Sequence, residues 1–127
     1  MKTRLAALAA ALLMTLPHAA HAQFMDLNTI IAGIGGTEFL KDAERVDTSP
    51  GLRVVRLSTL MGADRYAARL QAAVEMKERD IRYLQGNLII NPIAVTAIRN
   101  AGVTLEQIVS LDIAGDNNGV LYANDLQ

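Results

Sequence analysis

Cysteine and tryptophan are absent from this 127-residue chain, and its two histidines, His18 and His21, both lie within the first 22 residues. Beyond Ala22, therefore, no Ser-His or Cys-His nucleophile can be assembled. The imidazole and thiolate ligands that zinc, copper and iron prefer are missing as well. Only oxygen ligands remain, which leaves calcium or magnesium as the metals this chain could hold. Without cysteine there is neither a disulfide staple nor a site for a lipid anchor, so stability has to come from the core alone.

Basic charge is also in short supply. Removing Lys2 and Arg4 with the first 22 residues leaves ten basic against thirteen acidic side chains, a formal charge of −3. A phosphate backbone needs a basic surface, so nucleic acid is excluded as a partner. There is no polybasic segment to hold an anionic membrane, and past Ala22 no apolar run long enough to span one. Repeats and low-complexity tracts are absent.

The N-terminus reads as an export signal. Met1 to Arg4 carries two positive charges, Leu5 to Leu16 is small and apolar throughout, and Ala20-His21-Ala22 supplies the small-x-small cleavage pattern. A buried helix is the poorer reading, since it would be apolar on every side. No paired arginine precedes the apolar run, so the expected route is the general secretory pathway, with cleavage after Ala22 and delivery to the periplasm or beyond.

About 105 residues follow, enough for one domain with a modest core. From Gln23 the apolar positions Phe24, Leu27, Ile30, Ile31 and Ile34 recur at three and four, predicting a short helix closed by Gly35-Gly36. The Gly33-Ile34-Gly35-Gly36 cluster lacks the spacing of a phosphate-binding loop. Thr37 is placed to cap a short helix over Phe39, Leu40 and Ala43, and Pro50-Gly51 marks a boundary. Residues 23–51 are thus read as an N-terminal segment and residues 52–127 as the compact domain.

Within that domain Arg53 to Ser58 reads as a strand with Val55 and Leu57 on one face. A long helix is expected from about Ala63 to Gln85, with Leu70, Val74, Ile81 and Leu84 on its stripe and Glu75/Arg79 and Glu78/Arg82 at ion-pair spacing. Gly86-Asn87 should end it. Asn91-Pro92 opens a second helix to about Asn100, since asparagine caps and proline fits the first turn. Thr104 to Gln107 has the capping-box pattern, and Val109, Leu111 and Ile113 alternate as a strand.

Asp112 to Asp125 offers two readings. As a calcium loop with Gly119 at its sixth position, it would set Asp116 third, Asn118 fifth and Asp125 twelfth, but Ala114 stands where the leading carboxylate belongs. Asp112, Asp116, Asn118 and Asp125 are the candidate calcium ligands. As a hairpin, Asn118-Gly119 supplies the positive-φ pair, and a two- or four-residue loop turns Val120 and Tyr122 to the face of Leu111 and Ile113. The hairpin accounts for more of the residues.

The expected architecture is a small two-layer α+β domain, strand-helix-helix-strand-strand, with a three-stranded sheet covered by two antiparallel helices. The functional expectation is a non-enzymatic interaction or structural module of the bacterial envelope, with weak calcium binding as the alternative. No cofactor is expected. Val54, Arg56 and Leu121 on the second sheet face, with Ile30 and Ile34, are the candidate contact residues, and the partner is another envelope protein or a second copy. Neither the carboxylate pair Asp112 and Asp125 nor a Ser/Lys pair from Ser58, Ser110, Lys41 and Lys77 has a spacing that marks an active site.

Overall fold

Asp26 takes an extended conformation, and its carboxylate accepts the Asn28 backbone N–H at 2.9 Å. That bond satisfies one of the free donors at a helix start. The computed structural model describes residues 26–126, so the export pattern of residues 1–22, and Phe24, lie outside the described residues. Helix α1, Leu27–Ala32, buries Leu27, Ile30 and Ile31 and is closed by Gly33. Gly35 and Gly36 then adopt φ of 74° and 88°, a conformation that only glycine enters without cost. Helix α2, Gly36–Arg45, starts at the second of them and not at a Thr37 cap, and buries Phe39 and Ala43. A 3₁₀ turn, Val46–Thr48, leads to strand β1, Leu52–Arg56.

The expected long helix is two helices, α3, Ala67–Met76, and α4, Glu78–Ile89, meeting at Lys77 with φ −107° and ψ 22°. The ladder of hydrogen bonds runs through the junction, with Lys77 N–H on Ala73 O and Ile81 N–H on Lys77 O. The stripe lapses there, since Met76, Lys77 and Glu78 separate the buried Leu70 from the buried Ile81. The glycine turn presses on the same point: a Cβ on Gly35 would lie 2.7 Å from Lys77 Cδ. Of the two spaced charge pairs, Glu78–Arg82 closes at 2.6 Å, while the Glu75 carboxylate instead accepts from Gln71 at 3.4 Å.

Gly86-Asn87 does not stop α4. Helix-interior glycine costs about 1 kcal/mol, but Leu84 and Leu88 are both fully buried, and burying one leucine outweighs that cost at about 1.5–3 kcal/mol. Asn87 is held inside the helix by donating to Ala43 O at 3.1 Å. Helix α5, Pro92–Asn100, begins as expected. Asn91 Oδ1 accepts from Ile93 N and Ala94 N at 2.9 and 3.2 Å, and Asn91 Nδ2 donates to Val46 O at 3.0 Å. The Thr104 to Gln107 pattern also forms, with Thr104 N–H on Gln107 Oε1 at 2.8 Å.

Strands β2, Ile108–Ile113, and β3, Gly119–Ala123, complete a sheet of order β1-β3-β2. The last strand in sequence is the central one, parallel to β1 and antiparallel to β2. The described residues form a small α+β domain of five helices and a three-stranded mixed sheet. Following β1 there are three helices, not the expected two. One buried cluster runs from Leu27 and Phe39 through Leu84 and Ile98 to Leu121, so the described part of residues 23–51 shares its core with the rest. All five residues of β3 are buried, so the sheet centre is covered on both faces. No helix among the described residues is long and apolar enough to cross a membrane.

The face assignment is the main correction. Leu111 pairs with Leu121 and Ile113 with Gly119, so Leu121 and Ala123 share a face with Leu111, Ile113 and Val54, while Val120 and Tyr122 share the other with Val55, Ser110 and Asp112. The loop is three residues, Gly115-Asp116-Asn117, closed by Ala114 N–H on Asn118 O and Asn117 N–H on Ala114 O. Asn117 carries the positive φ, 71°. Two bonds hold it there, Nδ2 donating to Thr48 O at 2.7 Å and Oδ1 accepting from Arg45 at 3.2 Å. Gly119 serves another need, because a Cβ there would stand 2.6 Å from Leu52 Cδ2 and 2.7 Å from Ile113 Cδ1.

Candidate functional site

The four candidate calcium ligands do not converge. Asp116 orients the turn, accepting Asn118 N–H at 3.0 Å and Asn118 Nδ2 at 3.1 Å. Asp125 lies past the far end of β3, roughly 20 Å away at about 3.3 Å per residue. There it accepts both the Ser58 backbone N–H and the Ser58 hydroxyl, with Arg56 at 3.8 Å. Asp112 stands partway along β2. Among the described residues no three acidic side chains come together as a metal site.

The candidate contact residues are dispersed too. Leu121 is fully buried, and Ile30 and Ile34 are in the core. Val54 is half-buried, and Arg56 is exposed but turned to donate to Ala101 O at 2.6 Å. They form no common surface.

Comparison with protein-family models, with curated proteins and with solved structures finds no match. The reading of the site therefore rests on geometry.

Three features stand out, none of them anticipated. The first is a convex apolar corner where α4 meets α5. Ile89, Ile90 and Ile93 are 59, 72 and 45% exposed, and the one-turn spacing of the buried Ile81, Leu84 and Leu88 explains why. Ile89 and Ile90 fall off that stripe, and Ile93 sits on the outer side of α5. Projecting Leu88-Ile89-Ile90 onto the α4 stripe would have revealed the corner, since only Leu88 continues it.

The second feature is a shallow hollow of about 180 Å³ between the first turns of α3 and the chain after β3, lined by Ala67, Ala68, Leu70, Gln71, Asn124 and Leu126. Small residues at Ala67 and Ala68 create the space.

The third is an acidic cleft of about 210 Å³ between α1, α2 and the Tyr122 face of the sheet, lined by Ile30 and Phe39 on the apolar side and Glu38, Asp42, Ser110 and Asp112 on the polar side. Burial raises the Asp42 pKa above 3.8, opposed by a long 3.5 Å contact from Ile113 N–H and by Arg45, and assisted by Asp112 and Glu38. Burial also pushes the Tyr122 phenol up to about 12, with Asp112 adding to the shift and Arg53 opposing it. Sequence pattern alone hid this cleft because the wrong loop length sent Asp112 and Tyr122 to opposite faces.

Proposed function

We propose that this chain is an exported, non-enzymatic interaction module that joins further copies of itself, the isoleucine corner of one copy entering the Ala67/Leu126 hollow of the next. The observation that carries the reading is the corner: three large aliphatic side chains held in solvent where one helix turns into the next. Contiguous exposed apolar residues of this kind mark contact sites in soluble proteins. A convex corner packs poorly on an identical convex corner, whereas the chain carries a small hollow of its own with Ala67, Ala68, Leu70 and Leu126 among its lining residues. The export pattern of residues 1–22 and the cysteine-free composition support placing the module in the envelope.

Burying the exposed remainder of the three isoleucines is worth about 3–5 kcal/mol. Association costs at least about 4 kcal/mol in lost freedom, so the contact is weak and shows only at high concentration or when copies are held together. A corner-to-hollow contact is heterologous and leaves a free corner and a free hollow at the ends, so copies add in a row.

Light scattering of the protein over a concentration series tests this, the expected result being a mass that rises with concentration. Ile90→Asp should block the corner and Ala68→Arg the hollow, each giving a monomer. An equimolar mixture of the two variants should restore a dimer and nothing larger, because one intact corner and one intact hollow remain. A wild-type protein that stays monomeric at the highest concentration would overturn the reading, as would two variants that fail to complement.

A further inference from the structure

Asn118-Gly119 joins an amide side chain to a backbone nitrogen whose own residue has no side chain. In such a dipeptide the glycine nitrogen can attack the asparagine Cγ and close a five-membered ring, because no Cβ shields its approach. Packing fixes the glycine, since a Cβ on Gly119 would stand 2.6 Å from Leu52 Cδ2 and 2.7 Å from Ile113 Cδ1. The sheet thus retains the most reactive neighbour an asparagine can have, at the entry to its central strand.

The fold pins each moving part of that reaction. Ring closure requires the 118–119 peptide to turn its nitrogen toward the Asn118 side chain. That peptide is tied at both edges: its carbonyl oxygen accepts the Ala114 N–H at 2.8 Å, and its N–H donates to Gly51 O at 2.9 Å. One tie runs to the end of β2 and the other to the start of β1. Asp116 holds the side chain as well, Oδ2 accepting from Asn118 Nδ2 at 3.1 Å and Oδ1 from the Asn118 N–H at 3.0 Å. Gly51 leaves the room this placement needs, because a Cβ there would lie 2.9 Å from Asn118 Oδ1.

We propose that Asn118 is a site of spontaneous, one-way modification to isoaspartate, gated by opening of the hairpin. When β3 parts from Gly51 and Ala114, hydroxide takes the Gly119 amide proton and the nitrogen attacks Asn118 Cγ. The N–Cγ bond forms, the Cγ–Nδ2 bond breaks, and Nδ2 takes a proton from water and leaves as ammonia. Water then adds to either carbonyl of the succinimide, giving isoaspartate by cleavage at the main-chain carbonyl and aspartate by cleavage at Cγ. Nothing is oxidised or reduced, and water is the only co-reactant. Isoaspartate lengthens the main chain by one carbon just where Gly119 must register with Leu52 and Ile113. A carboxylate also replaces the amide that donated to Asp116, and the two like charges repel. The strand cannot re-seat, so an opening that reacts is recorded permanently.

Opening and closing are fast relative to this chemistry, so the rate follows the fraction of chains that are open. Incubation of the full-length chain in mildly alkaline buffer tests the assignment, read by peptide mass spectrometry at residue 118 and by an isoaspartate-specific methyltransferase. In urea above the unfolding midpoint, Asn118 should convert at least about 100-fold faster than in the folded chain, the ratio for a hairpin open about 1% of the time or less. Asp116→Ala removes both Asp116 tethers and should speed conversion of the folded chain about tenfold, with the rate in urea unchanged. The isolated isoaspartate form should lose amide-exchange protection at Gly119 and Leu121. Equal rates in folded and unfolded chains would overturn the gate, as would an Asp116→Ala rate equal to that of wild type. An isoaspartate form with the native amide spectrum would overturn the one-way step, and an unfolded chain that forms no isoaspartate would overturn the site.

Discussion

Asn91 ties two distant parts of the chain together, and its side chain can be dissected atom by atom. Its Oδ1 caps α5 through Ile93 N and Ala94 N, and its Nδ2 donates to Val46 O, with the whole residue buried. Asn91→Ala removes both functions. Loss of the cap costs about 1 kcal/mol. Val46 O retains a second donor, Ser49 N at 3.2 Å, so the lost link costs that of one ordinary hydrogen bond, about 0.5–1.5 kcal/mol, and not that of an orphaned carbonyl. The sum is about 2 kcal/mol. Asn91→Ser keeps a capping oxygen but cannot reach Val46, so it should lose only about 1 kcal/mol. Asn91→Asp keeps the acceptor and adds a negative charge at a helix start, worth about 0.3–1 kcal/mol. It also turns a carboxylate oxygen toward Val46 O and should fall below the serine variant. Urea unfolding followed by circular dichroism reads these values, with about 2 kcal/mol moving the midpoint by about 1 M at a slope of about 1–3 kcal/mol/M. A serine variant as stable as wild type would refute the Val46 link. An alanine variant no worse than serine would refute the cap.

Two further perturbations follow from the hairpin and the cleft. Gly119→Ala sets a methyl 2.6 Å from Leu52 and 2.7 Å from Ile113, and overpacking at the sheet centre should cost about 1–3 kcal/mol, read as a lowered thermal midpoint; an unchanged midpoint would contradict the register. Asp42 has its folded pKa raised above 3.8, so its contribution to stability is fully present below that value and is lost as pH rises through the folded pKa. Asp42→Asn removes the dependence. The stability of that variant relative to wild type should climb from acid toward neutral pH and then level off, and a difference that is flat across the range would contradict burial as the cause.

Local signals carried the elements that depend on neighbouring residues. Asn91-Pro92, Thr104 to Gln107 and the alternation through Leu111 and Ile113 all act within a few positions, and each forms as expected. The export pattern lies outside the described residues, so the fold does not bear on it. Tertiary contacts decided the rest. Lys77 breaks the helix where the Gly35 turn arrives from over forty residues away, and Leu88 carries α4 through a glycine that by itself reads as a stop. The loop length followed from Thr48 and Arg45 gripping Asn117, and nothing within the hairpin announces that grip. With the loop length went the faces of Val120, Leu121 and Tyr122, and so the cleft. The isoleucine corner was legible in principle, since Ile89 and Ile90 could be projected onto the stripe as soon as α4 was known to continue.

The order β1-β3-β2 sets a timetable for folding. The strand that occupies the middle of the sheet, Gly119–Ala123, is the last of the three to be synthesised. Until it emerges, β1 and β2 have nothing between them to pair with, and Leu121 and Tyr122 are missing from the centre of the core. A chain in this condition stays incompletely folded while most of its length is already made. The parallel pairing of Leu52–Arg56 with Gly119–Ala123 closes a loop of more than sixty residues, and such long-range closure slows folding further. Postponing the keystone keeps the sheet open until its last strand has been made.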